Sequence, residues 1–174
     1  MPGRARPHTG AVRHGDGDGW VHCDAGHRHW GRHGAAGLLL HHPAAGGVVL
    51  LAHRAAWSHH GNTWGIPGGA RDSHENAVDT ALREATEETG LDPATVQVLG
   101  ESVDDHGGWS YVTVRAVMAT DEPPMLSPAD DESTELRWSP LAEVARLPLH
   151  PGFADFWSTY DGRDAGANPS PPRP

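Results

Sequence analysis

Residues 69–91 read GARDSHENAVDTALREATEETGL, and the spacing of their acidic residues is the most informative pattern in the chain. Glu84, Glu87 and Glu88 stand at positions i, i+3 and i+4, so on a helix they share one edge, within an arc of about 100°. Three like charges so close together repel one another and destabilise an isolated helix. A bound cation removes that repulsion, and carboxylate oxygens suit Mg²⁺ or Mn²⁺. The pattern therefore predicts a helix with an acidic, metal-binding edge.

Flanking residues predict where this helix begins and ends. Asp72 and Glu75 have the spacing of a capping box, with Asp72 as the N-cap. Gly90 occupies the position after the last turn, where glycine commonly ends a helix. Apolar residues recur between them at helical spacing: Ala77, Val78, Ala81, Leu82 and Ala85. The acidic edge borders this apolar stripe, so we expect its carboxylates to be partly shielded from water.

A glycine-rich turn, WGIPGG at 64–69, precedes the helix and leaves backbone carbonyls exposed. Turn and helix together resemble the signature of the Nudix hydrolases, of the MutT-like type. Every fixed position of that signature is filled, by Gly69, Glu75, Arg83, Glu84, Glu87, Glu88 and Gly90, with Ala85 and Leu91 in its apolar slots. Features similar to the family extend on both sides, over residues 34–157.

The resemblance implies an α/β fold, the Nudix-type α/β/α sandwich with a mixed β-sheet between helices. It also implies metal-dependent hydrolysis of a pyrophosphate bond in a nucleoside diphosphate linked to a further group, with Mg²⁺ as cofactor and Mn²⁺ as its substitute. The metal ligands that it implies are Glu84, Glu87 and Glu88, helped by the carbonyl of Gly68. Glu84 is the residue that the family suggests for acting on the attacking water.

Other charged residues have structural alternatives. Arg83 lies close enough in sequence to the acidic edge to orient its carboxylates, and we expect this to be its main role. Glu75 is expected to serve chiefly as the carboxylate of the capping box. The family often takes a further metal ligand from a loop before a late strand. Glu132 has the matching position and Glu135 is its rival, with a solvated loop acid as the alternative for either.

The composition limits the partners of the chain. Its 174 residues suit one domain, and no apolar run reaches the ~18–20 residues that span a bilayer. The first residues lack the apolar core of a secretory signal, and Cys23 is the only cysteine, which favours a cytoplasmic protein without an internal disulfide. A formal charge of −10 argues against polymeric nucleic acid as partner, whereas a metal allows a nucleotide at an acidic site. Oligomeric state stays open, a homodimer included.

The chain contains no lysine, so a cationic contact to substrate phosphate must come from arginine or histidine. Arg54 and Arg71 are the predicted substrate contacts, and Arg115 is a further candidate. Trp64 or Trp109 could stack on a nucleotide base, for which an aromatic face is well suited. Core packing is the alternative for both tryptophans.

Composition along the chain predicts four segments. Residues 1–18 are expected to be disordered, 19–33 to form a His/Trp-rich extension, 34–161 to form the Nudix domain and 162–174 to be a disordered Pro-rich tail. Within the domain, 37–40 and 48–51 are predicted to pair as a hairpin. Further strands are predicted at 95–100, 109–119 and 135–138, and helices at 140–146 and 153–160.

The extension contains residues that suggest a zinc site. Cys23, His27 and His29 are suitable ligands, and a fourth would have to come from His22 or His33. Their spacing matches none of the usual paired-cysteine sites, so the sequence favours another interpretation.

The favoured interpretation of residues 19–33 is a polar extension that packs against the domain through Trp20 and Trp30. A second group of histidines, His59 and His60, precedes the glycine turn and is predicted to lie in a solvated loop.

The attached group of the substrate is predicted less directly. A compact chain with a Trp-Gly-X-Pro-Gly-Gly turn is typical of members that convert (deoxy)nucleoside triphosphates, oxidised ones included, to the monophosphate and pyrophosphate. Members acting on ADP-ribose often carry a proline beyond the box, which 105–109 lacks. Members acting on dinucleoside polyphosphates often carry a tyrosine there, and because Trp109 and Tyr111 lie slightly late, this alternative is weaker but stays open. An alternative of another class is a non-catalytic Nudix-fold regulator that binds nucleotides. Such proteins usually lack box glutamates that are present here.

Overall fold

The computed structural model describes residues 15–162 and residue 164, and the disordered ends predicted beyond them lie outside the described residues. The strands are β1 (Trp20–His22), β2 (Arg28–Trp30), β3 (Ala35–His42), β4 (Val48–Arg54), β5 (Trp64–Gly65), β6 (Gly68–Ala70), β7 (Val96–Asp105), β8 (Ser110–Met118) and β9 (Ser133–Pro140). The helices are α1 (Ala77–Thr89), α2 (Leu141–Val144) and α3 (Pro151–Thr159), with 3₁₀ turns at Ala44–Gly46 and Pro93–Thr95.

The apolar run at 37–40 forms the middle of β3, a strand whose eight residues are all buried. Side chains alternate between the two faces of a strand. Leu38 and Leu40 accordingly pack in one apolar cluster, and Leu39 packs in another on the opposite face. Because both faces are covered, the strand is apolar throughout and does not alternate with polar residues.

A seven-stranded sheet surrounds β3, in the order β5-β4-β3-β8-β7, with β6 also paired to β3 and β9 to β4. β3 and β8 run parallel while the other pairs are antiparallel, so the sheet is mixed. The predicted hairpin of β3 and β4 is confirmed, but their ladder covers only His41–Val49 and His42–Val48. Beyond it the two strands separate, and β6, which leads towards α1, pairs with the freed part of β3.

Helices cover both faces of the sheet. α1 contributes Ala77, Ala81 and Ala85 to the cluster that contains Leu38 and Leu40. On the other face, α2 and α3 contribute Val144 and Phe153 to the cluster that contains Leu39. The predicted α/β sandwich, with a mixed sheet between helices, is confirmed. Within the described residues, no helix has the length and apolar composition that crossing a bilayer requires.

Helix α1 begins later than the capping box predicts. Its N-cap is Asn76, whose Oδ1 accepts the backbone N–H of Asp79 at 2.9 Å, and not Asp72. Asp72 and Glu75 form a turn before the helix instead, because an acidic residue stabilises a turn by the same kind of backbone hydrogen bond as a cap. The predicted end is confirmed: Gly90 has a φ of 72° and its N–H donates to the carbonyl of Thr86.

Residues 19–33 contain the hairpin β1–β2, a two-stranded sheet separate from the main one. Both tryptophans expected to anchor it are exposed: Trp30 contacts Trp20 edge-on, and Trp20 contacts a histidine of the domain. Trp109 makes the closer contact. Its ring stacks on His29 with centroids 4.0 Å apart, and its Nε1 donates to the carbonyl of Gly31 at 2.9 Å. The hairpin therefore docks on the turn between β7 and β8.

The described structure reaches slightly beyond both predicted domain boundaries. Gly17, within the segment predicted to be disordered, donates its N–H to Asp72 Oδ1 at 2.8 Å. Asp164, within the predicted tail, is buried and accepts hydrogen bonds from Arg115. Both residues therefore belong to the packed unit.

Candidate active site

The acidic edge of α1, formed by Glu84, Glu87 and Glu88, lies beside strand β6. A β-carbon at residue 69 would lie 2.6 Å from the carboxylate carbon of Glu84, so any residue but glycine would displace that carboxylate. The side chain of Glu84 is 17% exposed, whereas that of Glu87 is 58% exposed. The edge thus extends from a buried position near the sheet towards solvent.

Arg83 connects the acidic edge to the segment before the helix. Its Nε and Nη2 donate to the two carboxylate oxygens of Glu75, at 2.6 and 2.9 Å. Its Nη1 donates to Glu84 at 2.8 Å and to Glu87 at 3.3 Å, and Nη2 also donates to the carbonyl of Ala70 at 3.1 Å. The fork of a guanidinium suits several carboxylates at once. This is the geometry expected of a residue that orients the acidic edge.

Glu75 is the ion-pair partner of Arg83, which corrects the predicted helix-capping role. Hydrogen bonds from Arg83 lower the pKa of Glu75 to about 2, and Thr80 also donates to the same carboxylate. The bonds to Glu75 in turn raise the pKa of Arg83. The capping role is wrong because the helix starts after Glu75, which leaves its carboxylate directed at the guanidinium.

Burial is the main influence on the pKa values of two glutamates of the acidic edge, Glu84 and Glu88. It raises the pKa of Glu84 to about 7, although Arg83 opposes the shift. Burial also raises the pKa of Glu88 well above its usual range, and the neighbouring carboxylates of Glu84, Asp130 and Glu132 raise it further. Carboxylates in such an environment hold their negative charge poorly unless a cation binds them. The site therefore has the electrostatics of a cation site.

The loop between β8 and β9 supplies the additional acids. The N–H of Ala129 donates to the carbonyl of Glu88, and the N–H of Ala55 donates to the carbonyl of Glu132, both at 2.8 Å. These bonds hold the loop across the end of α1. Burial and the neighbouring Asp130 raise the pKa of Glu132. Glu132, predicted from the sequence as a further metal ligand, is thus close to Glu88.

Its rival Glu135 lies elsewhere. It is exposed and stands opposite His53 in the ladder of β4 and β9. Sequence reasoning missed Asp130, which influences Glu88 as Glu132 does. The sequence does show a run of acids at 130–132, which places Asp130 near any site that Glu132 joins.

Of the arginines predicted near the site, Arg54 is close to the acids and Arg115 is not. The positive charge of Arg54 acts to lower the pKa of Glu88 and of Glu132, although burial and the neighbouring acids raise both pKa values overall. Arg115, on β8, donates to both carboxylate oxygens of Asp164, at 2.9 and 2.8 Å, away from the acidic edge. Arg115 is therefore withdrawn as a substrate contact, because a buried ion pair already uses its guanidinium.

Histidines follow Arg54 in the loop before β5. His59 contacts His60, and the ring of His60 contacts that of His150, with centroids 4.0 and 4.9 Å apart. Burial, followed by Arg54, lowers the pKa of His150 to about 4, so that its imidazole is neutral at pH 7. His150 was missed by the sequence reasoning because it comes from the distant segment before α3.

The ring of Trp64 lies in the core. Its side chain is 7% exposed and packs in the apolar cluster with Val144 and Phe153. The guanidinium of Arg137 lies over its ring, 4.4 Å from the centroid. Trp64 is withdrawn as a base-binding residue because both the core and Arg137 already cover it.

Arg71 and Trp109, the other predicted substrate contacts, line one cavity of about 390 Å³. Arg71 follows β6 directly, and its N–H donates to the carbonyl of Gly34. The remaining walls come from the extension, from β7 and from the turn before β8: Arg32, His33, Gly34, Val103, Asp105, Gly108 and Ser110. The cavity therefore begins at the end of β6, the same strand that lies against Glu84.

Comparison with known proteins agrees with this arrangement. The sequence model of the family described as "NUDIX domain" matches residues 31–159. A Mycobacterium tuberculosis protein named "Putative 8-oxo-dGTP diphosphatase 3" is 50% identical over 166 residues, which cover 90% of this chain and 74% of that protein. A Bifidobacterium longum protein named "Nucleoside triphosphate pyrophosphatase/Nudix hydrolase fusion protein" is 42% identical over 86% of this chain and 32% of its own length.

A solved structure gives the same result. The crystal structure of a Nudix hydrolase from M. smegmatis, RenU, superposes with a TM-score of 0.76 and 50% sequence identity, over 82% of this chain and 91% of that one. The match of the family covers the mixed sheet, the helices on its two faces and the whole acidic edge. The chain therefore belongs to the Nudix family and is a Nudix pyrophosphohydrolase.

Proposed function

We propose that this chain hydrolyses (deoxy)nucleoside triphosphates, oxidised ones included, to the monophosphate and pyrophosphate with Mg²⁺ as cofactor. The observation that carries the proposal is the pair of buried carboxylates Glu84 and Glu88, whose pKa values are raised by burial and by the charge of neighbouring carboxylates. The choice of substrate is supported by the 50% identity to the mycobacterial protein named as an 8-oxo-dGTP diphosphatase.

The donor set fits a hard divalent cation. Its side chains are carboxylates from the acidic edge together with Glu132, and the carbonyl of Gly68 in the neighbouring strand is a further oxygen donor. Mg²⁺ prefers such oxygens, keeps several waters and is usually held by few protein ligands. Mn²⁺ can replace it because it prefers the same oxygen ligands. Asp130, on the same loop as Glu132, adds negative charge to the site.

A divalent cation bound there would neutralise phosphate oxygens and lower the pKa of water near the phosphorus. Arg83 keeps Glu84 and Glu87 in place through its two hydrogen bonds to them. Glu84 is the carboxylate that we assign to accept the proton of the attacking water. Arg54 and Arg71 are the cations that we assign to the phosphates of the substrate.

The nucleoside is assigned to the cavity that Arg71 and Trp109 line, which starts at the end of β6. The alternative of a dinucleoside polyphosphate relied on a tyrosine at the position of Tyr111. The hydroxyl of Tyr111 instead fills the space above Gly37, next to Ile66. The ring of Tyr111 is therefore unable to stack on a second base. This contact favours a substrate with one nucleoside.

The substrate assignment is tested with a panel of nucleotides at equal concentration in the presence of Mg²⁺. The panel contains ordinary and 8-oxo nucleoside triphosphates, ADP-ribose and a dinucleoside polyphosphate, and released phosphate and pyrophosphate are measured separately. We expect the highest kcat/KM for a triphosphate, with pyrophosphate as product. A higher kcat/KM for ADP-ribose or for the dinucleotide would overturn the assignment.

The catalytic assignment is tested with Glu84→Gln and Glu88→Gln. Because loss of a general base typically costs about 10²- to 10⁴-fold, we expect kcat of Glu84→Gln to fall by that factor. Glu143→Gln is the matched control, since Glu143 is an exposed acid on α2, across the sheet from α1. Glu84→Gln with wild-type kcat would show that the acidic edge is not the catalytic site.

A further inference from the structure

A second group of metal-binding side chains lies outside the acidic site. Ligand atoms of Cys23, His27, His29 and His106 all lie within 4.8 Å of one another. Thiolate and imidazole are the ligands that zinc prefers in proteins. The first three residues belong to the N-terminal extension, and His106 belongs to the turn between β7 and β8. We call these four residues the histidine cluster.

The local structure of the hairpin explains why its three ligands converge. The N–H of Cys23 donates to the carbonyl of His27 at 3.0 Å, and the N–H of Gly26 donates to the carbonyl of Cys23 at 2.8 Å. This tight turn places Cys23 opposite His27. Since successive side chains of a strand point to opposite faces, His29 lies on the same face as His27.

Neither of the two fourth ligands that the sequence suggested, His22 or His33, belongs to the cluster. His22 adjoins Cys23, so it points to the other face of the hairpin, where its partner in the ladder is Arg28. His33 lies beyond β2 and lines the cavity next to Arg71. The fourth position is instead taken by His106, from a part of the chain that the sequence did not connect with the extension.

The side chains of the cluster are positioned but incompletely partnered. Cys23 is buried, and among the described residues Nε2 of His29 is buried without a hydrogen-bond partner. A buried polar atom without a partner destabilises the folded chain, and a bound cation removes that cost. The ring of His29 is fixed by Trp109, on which it stacks, and by His106, whose centroid lies 4.6 Å away.

Asp104 adds the outer contact that metal-binding histidines usually have. Its Oδ2 lies 3.0 Å from Nε2 of His106, so that one ring nitrogen contacts a carboxylate and the other remains for a metal. Such a contact orients the ring and increases its affinity for the metal. Four ligands of the N and S type leave no open position, which is typical of structural zinc.

We propose that Cys23, His27, His29 and His106 bind a zinc ion that fastens the N-terminal hairpin to the turn between β7 and β8. In a tetrahedral zinc site, ligand atoms are about 3.5 Å apart, so the four side chains need to move inwards by roughly 1 Å or less. The ion would also fix Trp109, which the hairpin contacts through His29 and Gly31 and which lines the cavity. The zinc is structural and its ligands differ in kind from the oxygen ligands of the acidic edge.

The test is the zinc content of the full chain, produced without an affinity tag because added histidines would bind metal. After growth with zinc and removal of loosely bound ions, elemental analysis should find about one zinc per chain. Cys23→Ser and His106→Gln should each lower zinc content at least about tenfold. His22→Ala is the matched control and should keep the wild-type content, because His22 lies on the other face of the hairpin.

Cobalt provides a second measurement that does not depend on zinc in the cells. The zinc-free chain titrated with Co²⁺ should develop the visible bands of tetrahedral cobalt and a thiolate charge-transfer band that Cys23→Ser lacks. Asp104→Asn, a change outside the cluster, should weaken Co²⁺ binding by about 10- to 100-fold. Circular dichroism of each variant shows whether it is folded. Absence of zinc and of these bands in the wild type, or equal losses in His22→Ala and Cys23→Ser, would overturn the proposal.

Discussion

The acidic edge of α1 and the histidine cluster both consist of residues that commonly bind metals, but the first comes from one helix and the second from two distant segments. The three glutamates of the edge come from five consecutive residues of one helix, whose pitch places them together. The histidine cluster takes three residues from a hairpin and one from a turn far along the chain. A group within one helix follows from local geometry, whereas a group shared by two segments exists only after they have packed. The two groups should therefore respond separately to mutation, and each prediction below tests that separation.

The largest expected effect on stability comes from the ion pair of Glu75 and Arg83. In Glu75→Gln we expect the free energy of unfolding to fall by about 3 kcal/mol at pH 7, because the pKa of Glu75 is about 2 in the folded chain and its usual value is 4.5. The side chain of Glu75 is 9% exposed and that of Arg83 is 30% exposed, so solvent screens part of the pair and about 3 kcal/mol is an upper value. Urea unfolding followed by circular dichroism measures the loss, and zinc content should not change.

The same pair predicts a pH dependence. Because folding lowers the pKa of Glu75, its contribution to stability is complete above about pH 4.5 and disappears as the pH falls towards 2. The difference in unfolding free energy between wild type and Glu75→Gln should therefore shrink over that range. Glu143→Gln serves as the control that removes a solvated acid. A constant difference down to pH 2 would contradict the assignment of Glu75, and loss of zinc in Glu75→Gln would show that the two groups are coupled.

The next effect concerns the contact between Gly69 and Glu84. Gly69→Ala would place a β-carbon 2.6 Å from the Glu84 carboxylate and displace it. A displacement of about 1 Å at a catalytic group can cost about 100-fold, so we expect kcat/KM to fall by that factor, or by about 2.7 kcal/mol. Gly152→Ala is the control, because its nearest neighbour atom would be 3.6 Å away. Unchanged kcat/KM in Gly69→Ala would mean that the position of Glu84 does not limit the reaction.

The sequence predicted those features whose signals lie close together. Helix α1 and its end at Gly90 follow from an apolar stripe and a glycine that are separated by few residues. The strand at β3 follows from an uninterrupted apolar run, which the burial of both faces explains. The start of α1 was misplaced because Asp72 and Asn76 are both suitable caps, and the choice between them depends on the contact of Glu75 with Arg83.

Features that depend on distant segments were missed. His106 and His150 reach their neighbours through the fold of the sheet, and neither has a spacing that indicates a partner. Trp64 is the first residue of the glycine turn, yet the helix α3 from the other end of the chain covers it. Arg115 alternates correctly in β8 but meets Asp164, a residue of the predicted tail. Local periodicity contains no information about such encounters.

The smallest expected effect is a dependence of stability on pH and Mg²⁺ at the acidic edge. Burial raises the pKa of Glu84 from its usual 4.5 to about 7, so its contribution to stability is complete below about pH 4.5 and is lost as the pH rises through 7. Between pH 5.5 and 8 the contribution of Glu84 alone should fall by about 2 kcal/mol, measured as the change in the difference in unfolding free energy between the Mg²⁺-free wild type and Glu84→Gln. Mg²⁺ should restore this stability mainly at pH 8, where protons compete less for Glu84 than at pH 5.5.

Thermal unfolding with and without Mg²⁺ at the two pH values measures this effect and separates the two metal sites. Mg²⁺ is removed by dialysis and not by a chelator, because a chelator would also extract the zinc proposed for the histidine cluster. The difference in stability between wild type and Glu84→Gln should change with pH, since an amide does not titrate, whereas Cys23→Ser should keep the wild-type pH dependence. Equal stabilisation by Mg²⁺ at pH 5.5 and pH 8 would contradict binding at buried carboxylates, because a proton and a divalent cation compete for the same oxygens. Loss of the pH dependence in Cys23→Ser would instead mean that the hairpin holds the acidic edge in place, and the two groups would then act as one unit.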